Sequence, residues 1–396
     1  MHALFYVAAL GAVLVSVTSA AEIPWQRHTI DGSGRGADGV RIADVNNDGY
    51  PDIATGWEES GMIRVYRNPG PVQAKQLWPA VTVGNVGNPE DAVFVDLDND
   101  GHIDVVSCCE GTTQAVYVHW APVDTTSYMQ PDRWQTDCFP QTIQQTRWMF
   151  CVPMEIDGKN GVDLVLGSKQ PNAVVGWMQS PSNPRDLAAW KWHPLYDAGW
   201  IMSLVKADLT GDGREDILLS DRKGPTRGLV LLEHPGPDNL TGVWPIRRLG
   251  GDRHELMFLD YSDAADVGWQ IVVATRDNGW LGFTRTGSPS SWTETVFAAA
   301  SQTGTLKSVR WGDLNCDGRL DLVYSCENAV GGRSGVVWLE RPSDTKPWTR
   351  HEISGPDGVK FDLLQLLDLD HDGDLDVVTC EERENLGVIW YENPCR

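Results

Sequence analysis

A motif of closely spaced acidic residues, Asp-x-Asp/Asn-x-Asp-Gly-x-x-Asp, recurs along the chain and restricts its fold more than any other feature. Five copies, one with Thr at the third position, begin at Asp44, Asp96, Asp208, Asp313 and Asp368. Two weaker copies begin at Glu155 and Asp260, so successive starts lie 52 to 59 residues apart. A fixed period of this length is typical of repeat architectures, in which each repeat is one supersecondary unit.

Two other series of residues repeat in step with the acidic motif. A short alternating run of aromatic and aliphatic residues, such as IRVYRNPG, ends in each repeat at Pro or Gly. A tryptophan opens a second short run, and the seven tryptophans are Trp25, Trp78, Trp134, Trp190, Trp244, Trp292 and Trp348. With one strand before the acidic loop and one after it, each repeat contains four strands. Four strands in 40–60 residues are typical of a propeller blade, so the sequence predicts an all-β, seven-bladed β-propeller.

The first strand of the chain is not the first strand of a blade, so the strand order of the repeats is cyclically shifted. The chain begins with a tryptophan strand at Trp25 and ends with an aromatic strand near Tyr391. We therefore expect the N-terminal strand to complete the last blade, which closes the ring and pairs both exposed edges.

The N-terminus and the charge restrict location and partners. Residues 1–20 have a short apolar run followed by small residues, which predicts a signal peptide before a propeller over 21–396 and a secreted, extracellular or periplasmic protein. No other apolar segment is able to span a membrane. A net charge of −23 argues against nucleic acid and anionic membranes as partners.

The acidic motifs resemble those of the FG-GAP/VCBS repeat propellers, a family that includes the head domain of integrin α chains. The resemblance extends over roughly Trp25 to Cys395. It implies a propeller with calcium in the acidic loops. Because the family includes adhesion proteins, lectins and lyases, it implies little about activity.

Carboxylates at alternate positions of a tight loop supply the hard oxygen ligands that Ca²⁺ prefers. The predicted ligands are Asp44, Asn46, Asp48 and Asp52; Asp96, Asp98, Asp100 and Asp104; Asp208, Thr210, Asp212 and Asp216; Asp313, Asn315, Asp317 and Asp321; and Asp368, Asp370, Asp372 and Asp376. The third and fifth loops carry Lys159 and Ala264 where a ligand is needed, so about five ions are expected. Acidic turns without metal are the alternative.

Strand direction predicts two faces, which we call the loop face and, opposite it, the funnel face. The funnel face receives the residues six positions beyond each acidic loop, which are Glu58, Glu110, Lys169, Arg222, Arg276, Glu327 and Glu382. Six positions before each loop lie Asp38, Glu90, Met149, Met202, His254, Lys307 and Asp362. The central opening of the funnel face, which we call the mouth, is therefore predicted to have an acidic half (blades 6, 7, 1 and 2) and a basic half (blades 3 to 5). Charged, solvated hairpin tips are the alternative.

The sequence leaves two classes of function open. The first is binding of an extracellular glycan or protein at the funnel face. The second is a carbohydrate-active enzyme, a sugar lyase or dehydratase, with His254 or Lys307 as base and the glutamates holding a metal. Trp57, Trp148 and Trp200 are candidates for sugar stacking or for packing. A disulfide between Cys316 and Cys395 is one pairing open to an exported chain.

Overall fold

The computed structural model describes residues 23–262, 270–277, 279–287, 291–343 and 347–395. The predicted signal peptide and the fifth acidic loop at Ala264 lie outside these residues. Four short 3-10 helices, at Thr125–Ser127, Pro131–Arg133, Pro140–Thr142 and Leu187–Ala189, interrupt an otherwise all-β chain. No helix among the described residues has the length and apolar character needed to cross a membrane.

Twenty-eight strands form seven sheets of four strands among the described residues. Blades 1 to 3 consist of β2 (Ala37–Ala43), β3 (Asp52–Trp57), β4 (Met62–Tyr66) and β5 (Ala80–Gly84); β6 (Pro89–Val95), β7 (Asp104–Cys109), β8 (Ala115–Trp120) and β9 (Gln135–Cys138); and β10 (Arg147–Met154), β11 (Asp163–Lys169), β12 (Val174–Gln179) and β13 (Lys191–Asp197). Blades 4 to 6 consist of β14 (Ile201–Ala207), β15 (Asp216–Asp221), β16 (Gly228–Leu232) and β17 (Ile246–Gly250); β18 (Leu256–Tyr261), β19 (Ile271–Thr275), β20 (Gly279–Arg285) and β21 (Trp292–Ala298); and β22 (Thr305–Gly312), β23 (Asp321–Glu327), β24 (Val336–Glu340) and β25 (Thr349–Glu352). Blade 7 combines the first strand of the chain, β1 (Gln26–Asp31), with the last three, β26 (Gln365–Leu367), β27 (Asp376–Glu381) and β28 (Gly387–Glu392).

Blade 7 confirms the predicted closure of the ring. Its strand order is β1-β28-β27-β26, and β1 pairs antiparallel with β28 so that His28 lies opposite Trp390. Trp390 also shares a hydrophobic cluster with Trp57 and Tyr66 of blade 1. The first and last blades are therefore joined by backbone pairing within blade 7 and by side-chain packing between the two blades.

The burial of each strand follows its sequence. The second strands are short apolar and β-branched runs, and β3, β7, β15 and β27 are buried at every position, as expected for strands covered on both faces. The outer strands β9 and β13 are largely exposed or half-buried. The first strands of consecutive blades contact each other, which places them around the central axis.

The recurring tryptophans have a structural role. The indole Nε1 of Trp78 donates to the carbonyl of Ala74 at 2.9 Å, and that of Trp190 donates to the carbonyl of Pro184 at 2.8 Å. Trp134 and Trp244 make the equivalent bonds. Each indole thus fixes the loop that enters the outer strand, which explains a tryptophan just before that strand.

Candidate functional site

The acidic loops lie between the first and second strands of their blades and share one backbone conformation. The Asp44 carboxylate accepts from the backbone N–H of Asp48 at 3.1 Å and of Gly49 at 2.9 Å. The loops beginning at Asp96, Asp208 and Asp313 repeat both bonds. The fourth residue of each loop that the structure describes is left-handed, with φ of 56° at Asn47 and 58° at His371. In the loops beginning at Asp96 and Asp368 this turn accompanies a close grouping of the alternate carboxylates, whereas those beginning at Asp44, Asp208 and Asp313 show no such group of three among the described residues.

Two loops bring three carboxylates close enough together to share a hard cation. Ligand atoms of Asp96, Asp98 and Asp104 lie within 4.8 Å of one another, as do those of Asp368, Asp370 and Asp376. One buried oxygen of Asp368 and one of Asp370 have no hydrogen-bond partner among the described residues. Buried carboxylate oxygens without a donor are costly, so this donor set fits a hard cation.

Basic side chains already contact four of the loops. Arg185 from blade 3 forms an ion pair with Asp98 at 2.5 Å, and Lys75 pairs with Asp370 at 3.0 Å. The remaining two pairs form within a loop and join Arg214 to Asp212 and Arg319 to Asp317. These cations compensate part of the negative charge of the loop face.

The last aspartate of the motif has a role that sequence reasoning missed. The two carboxylate oxygens of Asp104 accept from the N–H of Leu97 at 3.2 Å and of Ala121 at 2.7 Å. Asp163 of the third loop makes the same two bonds, to Ile156 and Ser180. Because that loop carries Lys159 at a ligand position, this aspartate joins the loop to the end of the third strand without needing metal. The sequence did hold one sign of this role, because the weak motif copy that begins at Glu155 keeps its last aspartate, Asp163, although it lacks a ligand at Lys159.

On the funnel face the structure brings together five carboxylates, which we call the funnel cluster. Glu58, Glu110 and Glu382 each follow a second strand directly, while Asp38 and Glu90 lie in first strands. Ligand atoms of Asp38, Glu58 and Glu382 lie within 4.8 Å of one another, and so do those of Glu58, Glu90 and Glu110. Glu58 belongs to both groups and joins blades 7, 1 and 2.

Three lysines contact the funnel cluster. Lys169 pairs with Glu90 at 3.2 Å and with Glu110. Lys307 pairs with Glu382 at 3.4 Å and with Asp362, and Lys360 also pairs with Glu382. Lys360 was not predicted, because it lies in an irregular segment before β26 that has no counterpart in the repeat.

Burial sets the protonation of the cluster. It raises the pKa of Asp38 well above its usual value, and the neighbouring Asp362 and Glu382 raise it further. It raises the pKa of Glu90 to about 8 against the opposing charge of Lys169. Although burial opposes it, the hydrogen bond from Glu90 and the charge of Lys169 lower the pKa of Glu110.

The predicted basic residues lie on the same face, with partners that the sequence did not reveal. Arg222 pairs with Glu255 at 3.0 Å, and Arg276 pairs with Glu327 at 2.9 Å across the blade 5–6 boundary. Nδ1 of His254 lies 3.0 Å from the carboxylate of Asp277. The two halves of the mouth are therefore linked by ion pairs at Lys169 and at Arg276.

The comparisons agree with the repeat pattern. The profile of the FG-GAP-like repeat family matches residues 44–107, which contain the first two acidic loops. The protein is a seven-bladed β-propeller with an FG-GAP-like repeat over residues 44–107.

Solved structures show the same fold as this FG-GAP propeller. A chain in a crystal structure of BBS1N in complex with ARL6DN, soaked with lead, matches with a TM-score of 0.55 and 12% identity, over 95% of this chain and 98% of that chain. The corresponding structure soaked with mercury matches with a TM-score of 0.52 and 12% identity, over 94% and 97%. At this identity the likeness shows the fold alone. No curated protein sequence matches the chain.

Three expectations about the FG-GAP propeller need correction. Lys307 is unsuited to act as a base: although burial lowers its pKa, Asp362 and Glu382 hold that pKa well above its usual value. Trp57 and Trp148 are buried and cannot stack on a sugar, while the ring of Trp200 faces Lys169, Arg222 and Lys223 at 4.4–4.7 Å. Cys316 is a free thiol, so the disulfide with Cys395 is wrong.

Proposed function

We propose that this protein is a secreted, calcium-stabilised propeller that binds a polar extracellular ligand, a glycan or a protein, at its funnel face. The observation that carries the proposal is the funnel cluster, in which residues of three neighbouring blades place five carboxylates in two overlapping groups. Strands buried on both sides hold these groups, so they cannot spread apart to relieve their repulsion.

The charges of the cluster are only partly compensated. Together with Asp362 the cluster has six carboxyl groups, of which Asp38 and Glu90 have raised pKa values, and Lys169, Lys307 and Lys360 supply three ammonium groups. Asp38 is only 6% exposed and has no basic group within 4.0 Å among the described residues. A ligand that donates hydrogen bonds or carries a cation would lower the cost of this arrangement. The complex of BBS1N with ARL6DN is a precedent for a protein partner on this fold.

Calcium in the loop face is the second part of the proposal. The residues beginning at Asp44, Asp96, Asp208, Asp313 and Asp368 would hold about five ions, which would compensate part of the −23 net charge. The buried oxygens of Asp368 and Asp370 without a donor support this role best in the last loop. The ions would fix the loops and supply no chemistry to the opposite face.

One observation favours an enzyme as the second candidate. His254 and Asp277 form an imidazole–carboxylate pair, in which the carboxylate orients the ring and leaves Nε2 for proton transfer. Arg222 lies next to this pair through Glu255. Such a pair would suit proton abstraction in a sugar lyase or dehydratase.

The binding function is tested by comparing the wild type with Glu58→Gln on an array of glycans and extracellular proteins. Glu58 is shared by both groups and has no ion pair among the described residues, so its replacement breaks no salt bridge. We expect retained folding and affinity for the captured ligand lowered by about tenfold. Asp238→Asn, an exposed change at the loop-face end of blade 4, is the control. Unchanged affinity of Glu58→Gln would contradict the proposal, and release of unsaturated sugar that His254→Gln abolishes would favour the enzyme.

A further inference from the structure

A cleft of about 770 Å³ lies at the funnel-face end of blade 4, next to β16 and the edge strand β17. Its volume falls within the range of about 300–1,000 Å³ that is typical of small-ligand sites. Arg227 and Arg248 line it, together with Gly224, Gly228 and Gly250. None of its lining residues belongs to the funnel cluster or to the acidic loops.

The two arginines are oriented by neutral groups. Nε of Arg227 donates to the carbonyl of Asp252 at 2.7 Å, and an Nη of Arg248 donates to the carbonyl of Thr226 at 2.7 Å. Within the described parts of the chain neither guanidinium has a carboxylate within 4.0 Å. The neighbouring Arg222, in contrast, pairs with Glu255. The cleft therefore contains two guanidinium groups that are each held by a backbone carbonyl and that have no ion pair among the described residues.

The surrounding sequence has the opposite charge to the rest of the protein. Residues 222–253 contain six basic and three acidic residues, a local charge of +3 in a chain of net charge −23. The nearest carboxylates oppose an anion only in part. Asp252 is exposed to solvent although it lines the cleft, and Glu294 accepts from the N–H of Gly251 at 2.6 Å. Two arginine forks at one cleft match the geometry of a carboxylate or sulfate.

The remaining lining suits a sugar. Glycines at 224, 228 and 250 leave peptide groups in place of side chains, and a Cβ at Gly228 would lie 2.8 Å from the carbonyl oxygen of Gly250. Bare peptide groups can bind hydroxyls, while the exposed Pro225 gives apolar surface for one side of a pyranose ring.

We propose that this cleft binds the carboxylate or sulfate group of an acidic glycan and forms a subsite separate from the funnel cluster. The choice of a glycan rests on the proposed function, whereas the choice of an anion rests on the two arginines alone. A ligand that reached from blade 4 toward the axis would pass Lys223 and Trp200 before it met the funnel cluster.

The test measures binding of four probes by calorimetry: an oligogalacturonate, a sulfated oligosaccharide, a neutral oligosaccharide of equal length, and a polyglutamate peptide. We expect binding of one or both acidic saccharides, and a loss of about tenfold or more in Arg227→Gln/Arg248→Gln. Arg253→Gln removes one positive charge outside the cleft lining and should change affinity by less than about threefold. Asp252→Asn should strengthen binding, because it removes the opposing carboxylate.

Several results would overturn the proposal. They are equal binding of the neutral saccharide, binding of polyglutamate as tight as that of the saccharides, no binding of either acidic saccharide, and full affinity in the folded double variant. If the double variant does not fold, Arg227→Lys/Arg248→Lys keeps the charges without the forks, and unchanged affinity there would refute the role of the forks. If Glu58→Gln lost binding of the ligand while the cleft variants kept full affinity, this inference would be contradicted and the proposed function would still be supported.

Discussion

Replacing Asp163 by Ala tests the structural role of the last motif aspartate. This carboxylate is fully buried and accepts from the N–H of Ile156 at 3.0 Å and of Ser180 at 2.8 Å. The change leaves two buried donors without an acceptor, and each costs about 1–3 kcal/mol. We therefore expect the free energy of unfolding to fall by about 2–6 kcal/mol. Asp163→Asn keeps one acceptor oxygen and should lose roughly half of this.

The assay is urea unfolding with and without calcium. Since the third loop lacks a ligand at Lys159, the loss in Asp163→Ala should be the same in both conditions. Asp104→Ala removes the same two backbone bonds and also a predicted ligand, so its loss should be larger when calcium is present. Stability of Asp163→Ala within about 0.5 kcal/mol of the wild type would refute the reasoning, as would a loss that depends on calcium.

Three further predictions follow from the two faces. A chelator should lower the melting temperature, and Asp48→Ala should lower the bound calcium by about one ion per chain while Lys159→Ala leaves it unchanged; an unchanged melting temperature would reject the metal assignment. Burial raises the pKa of Glu90 from 4.5 to about 8, so its contribution to stability is complete below pH 4.5 and is lost as the pH rises through about 8. The wild type should therefore lose more stability than Glu90→Gln between pH 5 and 8 in thermal unfolding, and equal pH profiles would contradict this. Glu382→Gln combined with Arg222→Gln should abolish binding of the captured ligand, and full retention would exclude the mouth as its site.

The sequence was sufficient for the fold because the repeat carries most of the information. Regular spacing of the acidic loops fixes the number of blades, and the leftover strand at Trp25 has a free edge of blade 7 to occupy. Counting from the loops also located the ends of the second strands, since the strands have nearly constant length. For that reason Glu58, Glu110 and Glu382 could be assigned to one face.

Pairings within the site could not be predicted in the same way. Lys360, Glu255 and Asp277 come from connecting segments whose length and path differ from blade to blade, so no periodicity places them. The motif spacing also does not predict whether a side chain at the end of a strand faces the mouth or the core. Trp57 lies at the end of a strand near the mouth, yet its indole points into the core, where Nε1 donates to the hydroxyl of Tyr66 at 2.8 Å. The cleft of blade 4 depends on glycines and on backbone carbonyls, which leave no motif.

Because β1 is the first strand of the chain and β28 is the last, β1 has no pairing partner until synthesis is almost complete. His28 and Glu392, which hydrogen-bond at this seam, are 364 residues apart. At about 5–20 residues per second, the ribosome needs roughly 20–70 s to supply the partner strand. Throughout that interval β1 exposes an unpaired edge while the other blades form, and neighbouring nascent chains can pair with it. Crowded translation should therefore favour intermolecular strand exchange at blade 7 over any other blade.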